Sequence, residues 1–229
     1  MLDSNQLDSF AAAFSTLGTL HLQPPQENVL DTVRSMAGQW PLGSTGSSAR
    51  GVGELTRSSE LEEDAALVAR DHDRLYGDSA AAVCPPYESV HRGTEGLVFD
   101  VETLQVRDSY RAFGLQAPRL NREPDDHIGL ELEFLAHTCL ASLDSLESGN
   151  LAEAEQAQHH GAQFLREHLM QWAPDFLERL ARAADTEFMR SLAHLTDAAL
   201  VEYREALVAA GIEAGDAGAS TVQGAAGQD

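Results

Sequence analysis

Nine histidines, two cysteines and 37 acidic residues are the groups in this 229-residue chain that could do chemistry. Glu133 and His137 stand at i and i+4, where a carboxylate and an imidazole on one helical face can share a metal ion. No third ligand follows at similar spacing, which favours the alternative, a histidine at a helix surface. His159 and His160 are adjacent, point to different sides of a helix and cannot chelate as a pair. Cys84 and Cys139 lack both metal-ligand spacing and a catalytic signature. Neither a G-x-S-x-G elbow, a P-loop nor a G-x-G-x-x-G turn occurs. The expectation is a chain with no catalytic residues, no metal and no cofactor. A metal-dependent helical enzyme built on Glu133 and His137 is the alternative from another class.

Two irregular segments are more than connectors. The first runs from Asp71-His72-Asp73-Arg74-Leu75-Tyr76-Gly77 through Cys84-Pro85-Pro86-Tyr87-Glu88-Ser89-Val90-His91. It sets aromatic rings beside rigid prolines, a preshaped apolar ledge. The second is Glu123-Pro124-Asp125-Asp126-His127-Ile128-Gly129, leading into an apolar helical run. Asp125 or Asp126 is placed to cap that helix, whose free N–H groups favour an acidic side chain. His127, near the positive end of the helix dipole, should stay neutral near pH 7.

The elements that must position these segments are helical almost throughout, because apolar residues recur at 3–4 spacing and strand-like alternation is scarce. Leu7, Phe10, Phe14 and Leu17 mark a first helix capped by Asp3 or Ser4, and a short second one covers Glu27 to Ala37. Residues 41–53, with four Gly and three Ser, read as a flexible loop. A helix then spans Glu54 to Tyr76, its apolar face carrying Leu61, Ala65, Val68, His72 and Leu75. Thr103 to Phe113 is helical and stops at Gly114. The strongest stripe is Ile128, Leu132, Leu135, Cys139, Leu143 and Leu146, ended by Gly149-Asn150. Ala152 to Trp172 forms the next helix, Pro174 suits the first turn of another, and Phe188 to Tyr203 lies on the last. Beyond Gly211 periodicity is lost, so residues 1–210 should form one all-α domain and 211–229 a disordered tail.

Composition narrows the function classes. Fifteen basic residues, all Arg, oppose 37 acidic ones for a net charge of −22. Such a surface repels polyanions and argues against a general nucleic-acid binder. No run approaches about 18 apolar residues, so no membrane insertion is expected. The N-terminus lacks a basic region of a secretory signal, which makes a reduced cytoplasmic chain the default.

The two segments, in their order and spacing, resemble the TorD/DmsD/NarJ family, chaperones for molybdenum-cofactor oxidoreductases. The likeness runs from Arg74-Leu75-Tyr76 to about Tyr203. It takes in Pro85-Pro86-Tyr87-Glu88-Ser89-Val90, residues 123–129, Phe164-Leu165 to Trp172-Ala173-Pro174, and Phe188-Met189-Arg190-Ser191-Leu192-Ala193. The resemblance implies an all-helical cytoplasmic chaperone that binds the twin-arginine signal peptide of a partner oxidoreductase. Export would then wait for cofactor insertion. It also implies a monomer or a domain-swapped homodimer, and keeps open an assembly chaperone of the NarJ type for a nitrate reductase without an exported signal. Peptide recognition would fall to Leu75, Tyr76, Pro86, Tyr87 and Ser89, with Pro124, Asp126 and His127.

A twin-arginine signal has a basic front and an apolar centre, so its binder needs carboxylates for guanidinium groups and a groove for apolar side chains. Asp126, Glu123 and Glu88 would supply the carboxylates, and Leu75, Tyr76 and Tyr87 the groove. This chain departs from the family's pattern at His72, Ala80 and His91, where many members carry bulky aromatics. Leu75-Tyr76-Gly77-Asp78-Ser79 also stands where Leu-Phe-x-Gly-Pro is usual.

Overall fold

The structure is a computed structural model that describes residues 1–43, 46–77, 82–93, 97–118 and 124–212. Of the expected tail, residues 213–229 lie outside the described residues, as do Glu123, Asp78, Ser79 and Ala80, whereas Ile212 is buried against the core and belongs to the domain. All the regular elements among the described residues are helical: α1 (Ser4–Leu22), α2 (Glu27–Ser35), α3 (Gly46–Glu60), α4 (Ala65–Tyr76), α5 (Glu88–Arg92), α6 (Val101–Ala112), α7 (Ile128–Glu147), α8 (Leu151–Phe164), α9 (Met170–Ala183) and α10 (Glu187–Ala209). The expected all-α class holds.

Helix α1 starts at a reciprocal cap. The Asp3 carboxylate accepts from the Gln6 amide at 2.9 Å, and the Gln6 side chain accepts from the Asp3 amide at 3.1 Å. Its Leu7, Phe10, Phe14 and Leu17 are all buried, with Phe10 and Phe14 against the ring of Tyr203 on α10. The helix crosses α7 at two glycines. A Cβ on Gly18 would meet the Gly129 carbonyl oxygen at 2.8 Å, and one on Gly129 would meet the Gly18 oxygen at 2.7 Å. Only hydrogen side chains allow this approach, and it brings the end of α1 to the start of α7.

Three boundaries differ from expectation. The Gly/Ser stretch is already helical from Gly46, because its small residues serve close packing against α10. A Cβ on Gly51 would sit 2.7 Å from the Leu195 side chain, and the Ser191 hydroxyl donates to the Gly51 carbonyl at 2.7 Å. The expected single helix over 54–76 is two, broken where Glu62 takes φ of +52° and Asp64 caps α4 by accepting from the Leu67 amide. Leu61 therefore faces solvent at 64% exposure and not the core. Helices α8 and α9 are joined without a loop by a π-helical turn, Leu165–Leu169. Pro174, which lacks an N–H for the Met170 carbonyl, sits inside α9 shortly after that widened turn.

Helix α4 is docked on α10 by side chains that satisfy free amides at the helix start. Asp71 accepts from the amides of Asp185 and Thr186 and from the Thr186 hydroxyl, at 2.8–2.9 Å. Glu63 accepts from the amides of Glu187 and Phe188 at 2.8 and 3.1 Å. With Asp71 committed to α10, the next residues of α4 turn towards α1 and solvent.

Candidate functional site

The two irregular segments meet. The Glu88 amide donates to the Asp126 carbonyl at 3.0 Å and the Ile128 amide to the Pro86 carbonyl at 2.9 Å. These bonds make an antiparallel bridge between Tyr87 and His127. The Asp126 side chain locks the bridge from behind. One carboxylate oxygen accepts from the Ser89 amide and the other from the Thr103 hydroxyl, both at 2.7 Å. Asp125 holds Arg107 of α6 through a 2.5 Å ion pair, and its carbonyl accepts from the Tyr110 hydroxyl at 3.1 Å. The Pro85-Pro86 ledge is braced by His91, whose Nε2 donates to the Pro85 carbonyl at 2.7 Å. The ring of His91 stacks on Trp172, with centroids 5.1 Å apart.

In front of the bridge lies a cavity of about 800 Å³. The end of α1 and the turn after it supply Leu22, Gln23 and Pro24, and α4 supplies His72, Asp73 and Tyr76, followed by Gly77. The bridged segments add Pro86, Tyr87, Pro124 and His127, while Ala117, Pro118 and Leu130 complete the wall. Aromatic rings run along it edge to face: His72 to Tyr76 at 4.6 Å, Tyr76 to His127 at 6.4 Å, and His127 to Tyr87 at 5.3 Å.

Of the residues expected in a peptide site, Tyr76, Pro86, Tyr87, Pro124 and His127 thus face one cavity. Leu75, Glu88, Ser89 and Asp126 stand behind its wall. Leu75 is core, and Glu88 is fully buried between Arg92 and His168, the latter at 2.9 Å. Asp126 is fully buried with both oxygens occupied, so it neither meets solvent nor caps α7. The cap is His127, whose Nδ1 accepts from the Gly129 amide at 3.0 Å. In the neutral ring its proton is therefore on Nε2. Burial, with His72 nearby, pushes the His127 pKa down to about 3, so the ring is neutral as expected. Burial is the larger cause, ahead of any dipole. Sequence reasoning missed Leu22, Gln23 and Pro24, which reach the site only through the glycine crossing. It also left out Asp73, although that residue stands within the quoted segment.

The other candidate chemistry does not assemble. His137 Nδ1 donates to the Glu133 carbonyl at 2.8 Å, and the Glu133 carboxylate accepts from the Thr19 hydroxyl at 3.2 Å. No cluster of three or more His, Cys, Asp or Glu side chains that could hold a metal occurs among the described residues. Both cysteines are buried. Burial raises the Cys84 pKa and pushes that of Cys139 up to about 12, far from a reactive thiolate. No helix among the described residues is long and apolar enough to cross a membrane.

The chain is similar to several known proteins. The chaperone protein TorD of Vibrio cholerae is 31% identical over 125 residues, 55% of each chain. The chain thus spans about half the length of the first curated relatives it matches. The Tat proofreading chaperone DmsD of Salmonella typhi is 27% identical over 210 residues, 89% of this chain and 93% of its own. A solved chain from Archaeoglobus fulgidus, described as a redox enzyme maturation protein, is 20% identical with a TM-score of 0.45, covering 91% of this chain and 95% of its own. The profile of the family described as nitrate reductase delta subunit matches residues 46–178, which include both bridged segments and α4. With more than half of its length matched, the chain belongs to that family, which embraces the NarJ and TorD proteins.

Proposed function

We propose that the chain is a cytoplasmic chaperone whose cavity binds the twin-arginine signal peptide of a molybdenum-cofactor oxidoreductase until its cofactor is in place. It acts by binding and not by catalysis. The observation that carries this reading is the bridge between residues 87 and 127. It turns two separate stretches of chain into one cavity walled by rings and prolines, wide enough for an extended segment with bulky apolar side chains. The names of the relatives, a Tat proofreading chaperone among them, support the same partner class.

Tyr87 is the residue to test, because its ring is only partly buried and rests on His127. Fluorescence anisotropy with a labelled twin-arginine peptide should show Tyr87→Ala weakening binding by about 1–3 kcal/mol, with the melting temperature little changed. An unfolded variant, or unchanged affinity, would remove Tyr87 from the site. The family's description favours a second reading, assembly of a nitrate reductase through a segment without paired arginines. Equal affinity for peptides with and without the arginine pair would select it.

A further inference from the structure

His72 and Asp73 form an acceptor pair on the cavity wall that the function just proposed does not yet use. A chain of hydrogen bonds assigns the ring nitrogens. The Thr196 hydroxyl donates to the Leu192 carbonyl at 2.7 Å, so it accepts from His21 Nε2 at 2.9 Å. His21 Nδ1 then accepts from the Tyr76 hydroxyl at 2.5 Å. His72 Nε2 faces the His21 carbonyl at 3.3 Å, where it can only donate. Burial lowers the pKa of His72, which leaves the ring neutral with a bare lone pair on Nδ1. That atom is buried without a hydrogen-bond partner on a residue only 7% exposed. It lies 3.9 Å from the carboxylate of Asp73, whose side chain is 78% exposed. Asp73 supplies the carboxylate of the cavity wall among the described residues, since Glu88 and Asp126 are turned inward.

We propose that His72 Nδ1 and the Asp73 carboxylate together take one arginine side chain of the bound segment. This rests on the peptide-binding reading of the same cavity. Two acceptors 3.9 Å apart, one buried and neutral and one exposed and charged, suit a planar guanidinium whose five N–H donors radiate from one centre. A lysine ammonium fits less well, because it is more strongly hydrated and must lose that water beside Tyr76 and Leu22. The arginine stem would lie on those two apolar surfaces while its head reached the pair. Asp71 fixes the pair's position by holding α4 to the start of α10.

The test uses a synthetic peptide with two adjacent arginines ahead of an apolar run, and a counterpart with neutral citrulline at both positions. Asp73→Asn, on an exposed side chain, leaves the fold intact, and His72→Phe keeps the ring against Tyr76. Each should weaken the arginine peptide by about fivefold to twentyfold and leave the citrulline peptide within about twofold. The double variant should lose less than the product of the two. N-acetyl-arginine amide should move the His72 Nδ1 resonance in the wild type and not in Asp73→Asn. If both single variants keep the wild-type preference for arginine over citrulline, the arginines are read elsewhere and the acceptor pair is overturned. If no peptide binds but the amide still moves His72 Nδ1, the pair stands and the peptide reading falls. If neither binds, both fall.

Discussion

At the scale of single residues, burial lowers the pKa of the histidines around the cavity and raises that of one acid in the interior behind it. The histidines are His21, His72 and His127, the last lowered to about 3, and neighbouring histidines add to the effect at His21 and His127. In the unfolded chain each titrates near 6.5. Below that pH the unfolded state binds more protons than the folded one, so stability falls as the pH drops. His127→Asn keeps a good helix cap and removes one such proton. Urea unfolding between pH 6 and 4 should show the variant losing about 1.4 kcal/mol per pH unit less than the wild type. Parallel curves would mean that His127 is protonated in the folded protein. Glu131 has the opposite sign. It is fully buried on α7, accepts weakly from the Trp172 indole at 3.4 Å, and leaves its other oxygen without a partner. Burial first, then the carboxylates of Glu88 and Asp126, raises its pKa well above the usual carboxylate range. The folded state then binds more protons than the unfolded one above about pH 4.5, and stability falls as pH rises towards the folded pKa. Glu131→Gln should therefore be more stable than the wild type at pH 8, with the gap closing towards pH 4.5. A variant less stable at pH 8 would show that an ionised carboxylate is needed.

At the scale of elements, glycines decide which helices meet. The α1–α7 crossing leaves no room for a Cβ, because the atoms it would strike are backbone carbonyl oxygens that cannot swing aside. Gly129→Ala gains helix propensity of about 1 kcal/mol but must push the two helices apart, at about 1–3 kcal/mol. A Cβ there would also strike Leu22, at 2.6 Å. The expected result is a lower urea midpoint, together with weaker peptide binding as Leu22 shifts in the cavity wall. Gly53 is the control: it lies in α3 and a Cβ there meets nothing within 4 Å. Gly53→Ala should stabilise by about 0.5–1 kcal/mol and leave binding unchanged. Equal responses from the two variants would mean that the crossing tolerates expansion.

At the scale of the molecule, charge sets how a basic partner arrives. A net charge of −22 produces a field that attracts a basic peptide before any contact forms. Stopped-flow association of an arginine-pair peptide should slow by about tenfold between 20 mM and 300 mM salt, and dissociation should change much less. A rate insensitive to salt would leave recognition to the apolar wall alone. The same acidity works against the interior, where Glu88, Asp125 and Asp71 each need an arginine partner: Arg92, Arg107 and Arg74.

What the sequence determined by itself was local. Helical spacing placed α1, α6, α7 and α10, and Gly114 and Gly149 marked helix ends with φ of +76° and +77°. The order of the Pro-Pro and Pro-Asp-Asp-His segments pointed to the family and to five residues of the cavity. Composition misled where small residues were read as flexibility, because the role of Gly51 and Ser191 is visible only once α3 and α10 touch. The inward turn of Asp126 and Glu88 was decided by tertiary structure alone. Beside a proline and a helix start, a carboxylate in sequence looks solvated, but Thr103 lies 23 residues from Asp126 and His168 lies 80 from Glu88. Asp73 and His72 reached the cavity for the converse reason. Asp71 is spent on the start of α10, over a hundred residues away, and with that residue held there His72 faces α1 and His72 and Asp73 line the cavity. Periodicity reports which face of a helix is apolar, but only packing decides which polar atoms on it find partners and which one is left bare.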